Sequence, residues 1–386
     1  MGKEIDMRDP ENGFEFLARL KEKNGKEFQN YRDFSEYVDT KARKNGIPVH
    51  GQFELTPLCN FNCGMCYVHL NQNQLNGRNL LSVDDWKSIM YQAWQAGMMY
   101  ATVSGGECLT YPGFEELFLY LHELGCNVEV LTNGLLINEK RIRFFQEHMP
   151  SNIQVTLYGW NNDVYERVTG QRAYNTVTEN IRNSIQAGLP ISISITPNTF
   201  LGKDVLETIR AGRRMTKAVS VNSAVFSPRE ETGRSEQEDD ADLELYIQIY
   251  RLLQELNGRE TRNISIDKLP PAGGPCHTCV EKGLRCGGGR SSFCIDWKGI
   301  IMPCYRMDMI HADVLKEGFA AAWKSINQGA NNWPRVPECI DCPYDEVCNN
   351  CMGNVLQYAE PGKQPIALCE KTRQYVSQGV KSIPEC

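Results

Sequence analysis

Short apolar runs alternating with amphipathic segments predict an α/β chain built on a partial (β/α)6 TIM-like barrel, followed by a cysteine-rich part with little regular structure. Three observations carry this. Six strand candidates recur between residues 49 and 235, each followed by a polar or helical stretch. The composition changes after Pro270-Pro271, where Gly, Cys and Pro dominate. Eleven of the sixteen cysteines fall between Cys276 and Cys386, and none between 127 and 275.

The elements follow in order. Residues 1–48 carry Phe14, Phe16 and Leu17, then Phe28, Tyr31, Phe34 and Val38, spaced by charged residues. This spacing predicts two short amphipathic helices, a helical cover rather than a separate peptide-binding module. Over 49–235 the strands are expected at Phe53–Thr56, Met99–Ser104, Asn127–Thr132, Ile153–Leu157, Ile191–Thr196 and Ala218–Asn222. Helices are expected at Val83–Ala96, Gly113–Leu124, Thr176–Ala187 and Lys203–Ala211. Ser235–Asp242 reads as an acidic exposed loop that could attract a basic peptide, and Leu243–Leu256 as one helix of a linker spanning 236–270. In 271–386 the one long periodic segment is Phe319–Ile326, so metal sites are the expected source of cohesion.

Bulk properties narrow the class. A chain of 386 residues allows two or three domains. A net charge of -7 argues against a nucleic-acid-binding stripe. No apolar run reaches 18 residues, and the first ten residues lack an apolar signal core, so a cytoplasmic location without a membrane span is expected. Sixteen cysteines in such a chain point to metal or redox sites rather than disulfides.

Cys59, Cys63 and Cys66 form a C-x3-C-x2-C run just past the first strand. Three thiolates on one loop can hold three irons of a cubane cluster and leave the fourth open to a ligand. The spacing differs from paired C-x2-C zinc knuckles and from the four-cysteine ferredoxin run. A zinc or disulfide loop is the bland alternative. Strand-end motifs gather at the same side, where barrels place their chemistry. Ser104-Gly105-Gly106-Glu107 follows the second strand and Leu131-Thr132-Asn133-Gly134 the third. Leu157-Tyr158-Gly159 and Thr196-Pro197-Asn198 follow the fourth and fifth. Two glycines let backbone approach a ligand closely, and Glu107 supplies a carboxylate.

On these residues the chain resembles the radical S-adenosylmethionine enzymes. Cys59, Cys63, Cys66 and Tyr67 match the superfamily's signature, and Gly105-Gly106-Glu107 its glycine–glycine–glutamate motif. The resemblance implies that the open iron binds the amino and carboxylate groups of S-adenosylmethionine. Glu107 and the backbone near Gly105 and Gly106 would hold the methionine amine, and Tyr67 would lie near the adenine. Ser194, Thr196 or Asn198 would lie near the ribose and carboxylate. The implied chemistry is reductive cleavage to a 5'-deoxyadenosyl radical, with a reduced flavodoxin or ferredoxin as electron donor.

The rear cysteines resemble the SPASM domain of the same superfamily, which carries two auxiliary [4Fe–4S] clusters. Cys286-x12-Gly299-x4-Cys304 and Cys339-x2-Cys342-x5-Cys348-x2-Cys351, then Cys369, follow its pattern, with two residues instead of three before Cys351. Carried over, the first cluster would use Cys286, Cys304, Cys351 and Cys279, with Cys276 the rival for the last place. The second would use Cys339, Cys342, Cys348 and Cys369. That makes three [4Fe–4S] clusters in all, and two four-thiolate zinc sites are the alternative for the rear. Cys294 reads as a buried thiol or a spare ligand, and Cys386 as terminal.

The resemblance implies oxidative modification of a ribosomally made peptide, with a thioether or carbon–carbon crosslink first in line. A separate leader-binding protein would fit the short N-terminal cover. The alternatives are a dehydrogenase or epimerase acting on a small molecule, and a non-enzymatic electron-transfer module. Sulfatase-maturing relatives carry an aspartate directly after the cysteine of G-x4-C, where this chain has Tyr305, which counts against formylglycine formation. Tyr305 and Asp308 are candidate proton acceptors or substrate contacts. Cys108 is a candidate hydrogen donor, against the plainer reading of a small buried thiol. His69 reads first as a loop hydrogen-bonder, His277, between Cys276 and Cys279, as a minor candidate for metal ligation, and Trp160 as a cavity rim or helix cap.

Overall fold

The computed structural model describes residues 31–222, 229, 232, 243–258, 269, 283–340, 342–345, 347–348 and 351–379. The first expected helix, the loop Ser235–Asp242, and Cys276, His277, Cys279 and Cys386 lie outside them.

Strands β1 (His50–Glu54), β2 (Tyr100–Ser104), β3 (Asn127–Thr132), β4 (Asn152–Thr156), β5 (Ile191–Ile195) and β6 (Val219–Val221) pair in sequence order, all parallel. All six expected strands are present, with ends shifted by up to three residues. Each crossover is helical. In Val83–Gln95 the buried positions Trp86, Ile89, Met90 and Ala93 follow the helical repeat. Its start is a capping box, Ser82 accepting from the Asp85 amide while the Asp85 carboxylate accepts from that of Ser82. In Phe114–Glu123 the same repeat buries Phe114, Leu117, Phe118 and Leu121 against the sheet. Two further helices, Glu139–Glu147 and Asn162–Thr169, were not anticipated by apolar spacing. They are short, and their signals are the capping asparagines Asn138 and Asn161, whose side chains accept from amides three residues on.

The rear part corrects the expectation of little regular structure. Strands β7 (Ser292–Ile295), β8 (Ile300–Met302) and β9 (Ala312–Asp313) extend the barrel's own sheet, in the order β6-β5-β4-β3-β2-β1-β7-β8-β9. β7 runs parallel to β1, placing Gln52 opposite Cys294 and Phe53 opposite Ile295. β8 and β9 add antiparallel. The aliphatic and aromatic residues of this part are few but concentrated. Phe293 meets Phe53 edge to face at 5.9 Å, and Phe319 at 5.0 Å. Phe319, Ala322, Trp323 and Ile326 of helix Phe319–Asn332 join the main core. The result is an open, partial barrel, with the triad loop at the C-terminal end of β1 and the loop after antiparallel β8 starting level with Gln52.

Candidate functional site

The triad loop leaves β1 and is tied down by backbone bonds from elsewhere. The Asn62 and Gly64 amides donate to the Thr169 and Val168 carbonyls at 3.0 and 3.1 Å. Leu70 returns to the Pro57 carbonyl at 3.0 Å. Gly64 faces the Phe200 ring so closely that a Cβ there would fall 2.5 Å from it. Cys59 Sγ accepts from the Phe61 amide at 3.4 Å and from Asn133 Nδ2 at 3.7 Å, and Cys66 Sγ accepts from the His69 amide at 3.4 Å. Such donors stabilise a thiolate. Burial, with the Glu107 charge second, nevertheless pushes the Cys59 thiol up to about 12, so loading a metal group here requires proton release.

All three triad cysteines line one cavity of about 590 Å³. Its wall continues through Tyr67 and Gly106, through Gln154, Thr156 and Ser194 on β4 and β5, and on to Cys294, Cys304, Tyr305 and Cys351. The donor set fits a group held by three thiolates inside a protected chamber. Among the described residues, no three His, Cys, Asp or Glu side chains close round a point where one metal ion would sit. A multi-iron cluster is larger than an ion and holds its thiolates further apart.

Glu107 is buried and spoken for. Its Oε1 accepts from Thr132 Oγ1 at 2.8 Å and from the Leu109 amide at 3.1 Å, and its Oε2 from the Asn133 amide at 2.7 Å. The Thr132 hydroxyl and the Asn133 amide thus hold Glu107, while the Asn133 side chain reaches Cys59 and Asn60. Burial raises the Glu107 pKa, and these three donors work against that rise. Gly105 and Gly106 turn out to pack against the approach to the triad. The Gly106 amide donates to the Thr56 carbonyl at 2.6 Å, and the Glu107 amide to the Leu58 carbonyl at 2.9 Å. Gly106 also lines the cavity, while Glu107 is absent from its wall.

Ser194 and Thr196 line the cavity together with Asn222, whose Nδ2 donates to Ser194 Oγ at 3.2 Å and Thr196 Oγ1 at 2.8 Å. Asn198 instead binds into its own turn, donating to the Thr196 carbonyl and accepting from the Leu201 amide, both at 2.9 Å. The Cys108 thiol is buried and donates to the Leu131 carbonyl at 3.2 Å, outside the cavity wall. Asp308 is exposed and outside it as well. Tyr305 stands in the wall, its ring 6.1 Å from that of Tyr67, and its buried hydroxyl has no hydrogen-bond partner among the described residues. Gln52, Gln154, Thr156 and Asn222 were missed from the sequence. Their signal was polar side chains at strand positions on the side facing the barrel interior.

The rear thiols separate into two groups. Cys304 and Cys351 line the main cavity, and the charges of Cys286 and Cys351 help to raise the Cys304 thiol to about 11, after burial. Cys339, Cys342, Cys348 and Cys369 line a second, small pocket with Tyr344 and Thr372. There Thr372 Oγ1 donates to Cys348 Sγ at 3.4 Å, and Gln364 Nε2 lies 3.8 Å from Cys369 Sγ. None of the described cysteines forms a disulfide.

Residues 53–212 match the model of the Radical SAM superfamily. The PqqA peptide cyclase of Bradyrhizobium diazoefficiens is 22% identical over 319 residues, covering 79% of this chain and 81% of that protein. The AdoMet-dependent heme synthase of Methanosarcina barkeri is 23% identical over 342 residues, covering 80% and 92%. Among solved structures, Streptococcus suis SuiB bound to S-adenosylmethionine superposes with a TM-score of 0.64 at 17% identity, covering 93% of this chain and 88% of that one, a likeness of fold. The segment that matches the family model holds the triad, the Gly105-Gly106-Glu107 turn and strands β2 to β5, and the chain is a radical SAM superfamily enzyme.

Proposed function

We propose that this enzyme oxidatively modifies a ribosomally made peptide, closing a thioether or carbon–carbon crosslink. The carrying observation is that Cys59, Cys63 and Cys66 line the same cavity as Cys304 and Cys351. A substrate held there would lie between the radical source and an electron acceptor, which net oxidation requires. The matched relatives support a peptide. The PqqA peptide cyclase aligns over most of its length, and a structure of the similarly folded SuiB holds the precursor peptide SuiA.

In this reading the triad holds a [4Fe–4S] cluster with one open iron, and with S-adenosylmethionine this supplies a 5'-deoxyadenosyl radical. The chain's own residues position and shield. The backbone at Gly105 and Gly106 would receive the methionine amine, with the buried Glu107 carboxylate holding that turn in place. Tyr67 faces the adenine, and Ser194 and Thr196, oriented by Asn222, meet the ribose and carboxylate, with Asn198 shaping their turn. The apolar wall of Phe61, Met65, Leu131 and Tyr158 excludes water and stray hydrogen donors. Residues 271–386 form a SPASM domain. Cys286, Cys304 and Cys351, with Cys279 or Cys276, hold one auxiliary cluster, and Cys339, Cys342, Cys348 and Cys369 hold the other. Tyr305, beside Cys304 in the wall, is the substrate contact of choice over Asp308 and Cys108. A reduced flavodoxin or ferredoxin supplies electrons, and a leader-binding protein assists docking.

A second reading is a small-molecule substrate. It is favoured by the heme synthase match, which spans 92% of that relative. The test is anaerobic reconstitution with S-adenosylmethionine and a reductant, in the presence of a short peptide encoded beside the gene. Loss of two hydrogens from the peptide, matched by deoxyadenosine, is expected. Deoxyadenosine without any change of peptide mass refutes the peptide reading.

A further inference from the structure

A buried ion pair stands behind the cavity wall. Glu54 ends β1, five residues before Cys59, and is 1% exposed. Arg229, from the segment after β6, meets it through both guanidinium arms, Nη1 to Oε1 and Nη2 to Oε2, each at 2.8 Å. The same guanidinium lies 5.6 Å from the centre of the Tyr67 ring and 5.2 Å from that of Tyr305. The Arg229 amide donates to the Tyr67 carbonyl at 3.1 Å, and three residues on, Gln74 Nε2 donates to the Thr232 carbonyl at 2.8 Å. One side chain thus ties together four stretches distant in sequence: the end of β1, the residue after the triad, the connection after β6, and the residue after Cys304.

We propose that Arg229 is a positioning residue that holds Tyr67 and Tyr305 in the cavity wall and so sets the triad loop against the Cys304 loop. A planar fork suits this task, because it can pair with a carboxylate along its edge while presenting its face to aromatic rings. Lysine can keep the charge but not both contacts. The ion pair is electrically neutral as a unit, so its effect on the cavity is geometric rather than a long-range field. The proposal rests on reading Tyr67 as a contact of S-adenosylmethionine, and the experiment separates the two ideas.

Four variants are compared: Arg229→Met, Arg229→Lys, the double variant Glu54→Gln with Arg229→Met, and Tyr67→Ala. The double variant removes both buried charges, so it tests the clamp without leaving Glu54 unpaired. Two measurements are made. On the iron-free chain, hydrogen exchange is followed by mass spectrometry. On the reconstituted enzyme, deoxyadenosine formation is titrated with S-adenosylmethionine. Arg229→Met and the double variant are expected to speed exchange at both 63–70 and 303–308, leaving 114–123 unchanged. Both are expected to raise KM for S-adenosylmethionine about tenfold with kcat nearly kept, and Arg229→Lys to fall between them and the parent. A KM raised by Tyr67→Ala but not by the double variant overturns the positioning role and leaves the reading of Tyr67 standing. A KM unchanged in both overturns both. Faster exchange at only one of the two loops overturns the coupling.

Discussion

Gly106→Ala adds one methyl group at the point where the second strand's turn touches the approach to the triad. A Cβ at Gly106 would fall 2.4 Å from the Leu58 carbonyl oxygen and 2.7 Å from that of Pro57. Both are backbone atoms, and a methyl group has no rotamer to relieve the overlap. The Pro57-Leu58 segment must therefore retreat by about an ångström to restore van der Waals contact. That motion breaks the bond from the Glu107 amide to the Leu58 carbonyl, 2.9 Å long, and moves Cys59, the next residue. Overpacking of this kind costs about 1–3 kcal/mol. For a chain of this length that lowers the melting temperature by roughly 1–4 °C. The chemical penalty is larger, since a misplacement of about 1 Å at a reacting centre costs on the order of 100-fold in rate. The assay is deoxyadenosine formation after anaerobic reconstitution, alongside iron content. The expected result is a fall of about 10- to 100-fold with the rear iron retained. Parental rate and melting temperature in Gly106→Ala would refute the packing argument. Gly105→Ala, whose Cβ would meet the Thr56 carbonyl oxygen at 2.7 Å, should fail in the same direction and less severely.

Glu107→Gln replaces an acceptor oxygen with an amide NH2 opposite protein donors, since both Glu107 oxygens already accept hydrogen bonds. It should lose about 1–3 kcal/mol of stability and at least about tenfold in deoxyadenosine formation, and a melting curve and rate like the parent's would count against this role. Cys108→Ala removes a buried thiol whose partner is the Leu131 carbonyl, so it should cost about 1 kcal/mol and leave deoxyadenosine formation within about twofold. A complete loss of activity in a folded Cys108→Ala variant would restore it to the reacting centre. The pair Cys339→Ala and Cys342→Ala should remove iron from the small rear pocket, read by iron analysis, while deoxyadenosine is still made. Loss of the front signal as well would show that the two pockets do not load independently.

The barrel was legible because its strands and crossover helices carry clean periodicities, and the triad because three cysteines in eight residues have few other uses. Glu107 was legible as a residue, but its surroundings were not. Thr132 and Asn133 stood out only as part of a strand-end motif, while the Thr132 hydroxyl and the Asn133 amide bind a carboxylate 25 residues upstream of Thr132. Sequence spacing cannot show which of two strand ends faces the other. The full setting of the glycines was hidden for the same reason. A tight approach was correctly expected, but the surface approached is the backbone of Thr56 to Leu58 as well as the cavity. Arg229 and Glu54 carried no signal at all, being a single arginine beyond the sixth strand and a glutamate in the first, 175 residues apart.

The least legible feature, β7 joining β1, decides how the site works. Composition marked everything after Pro270 as a cysteine-rich part with little regular structure. Four residues, Ser292–Ile295, instead pair in parallel with the strand that feeds the triad. Parallel pairing aligns the C-terminal ends of β1 and β7, and β8 turns back antiparallel with Met302 opposite Cys294, so the chain reaches Cys304 from the level of Gln52. A flexible appendage would leave the separation between the two thiol groups free to vary. A shared sheet fixes it to the register of Gln52 with Cys294, and the Glu54–Arg229 pair fixes the loops above that register. Electron transfer and radical quenching both depend steeply on distance. On the proposed function, the hydrogen-bonded edge between β1 and β7 therefore matters as much as the cysteines on either side of it.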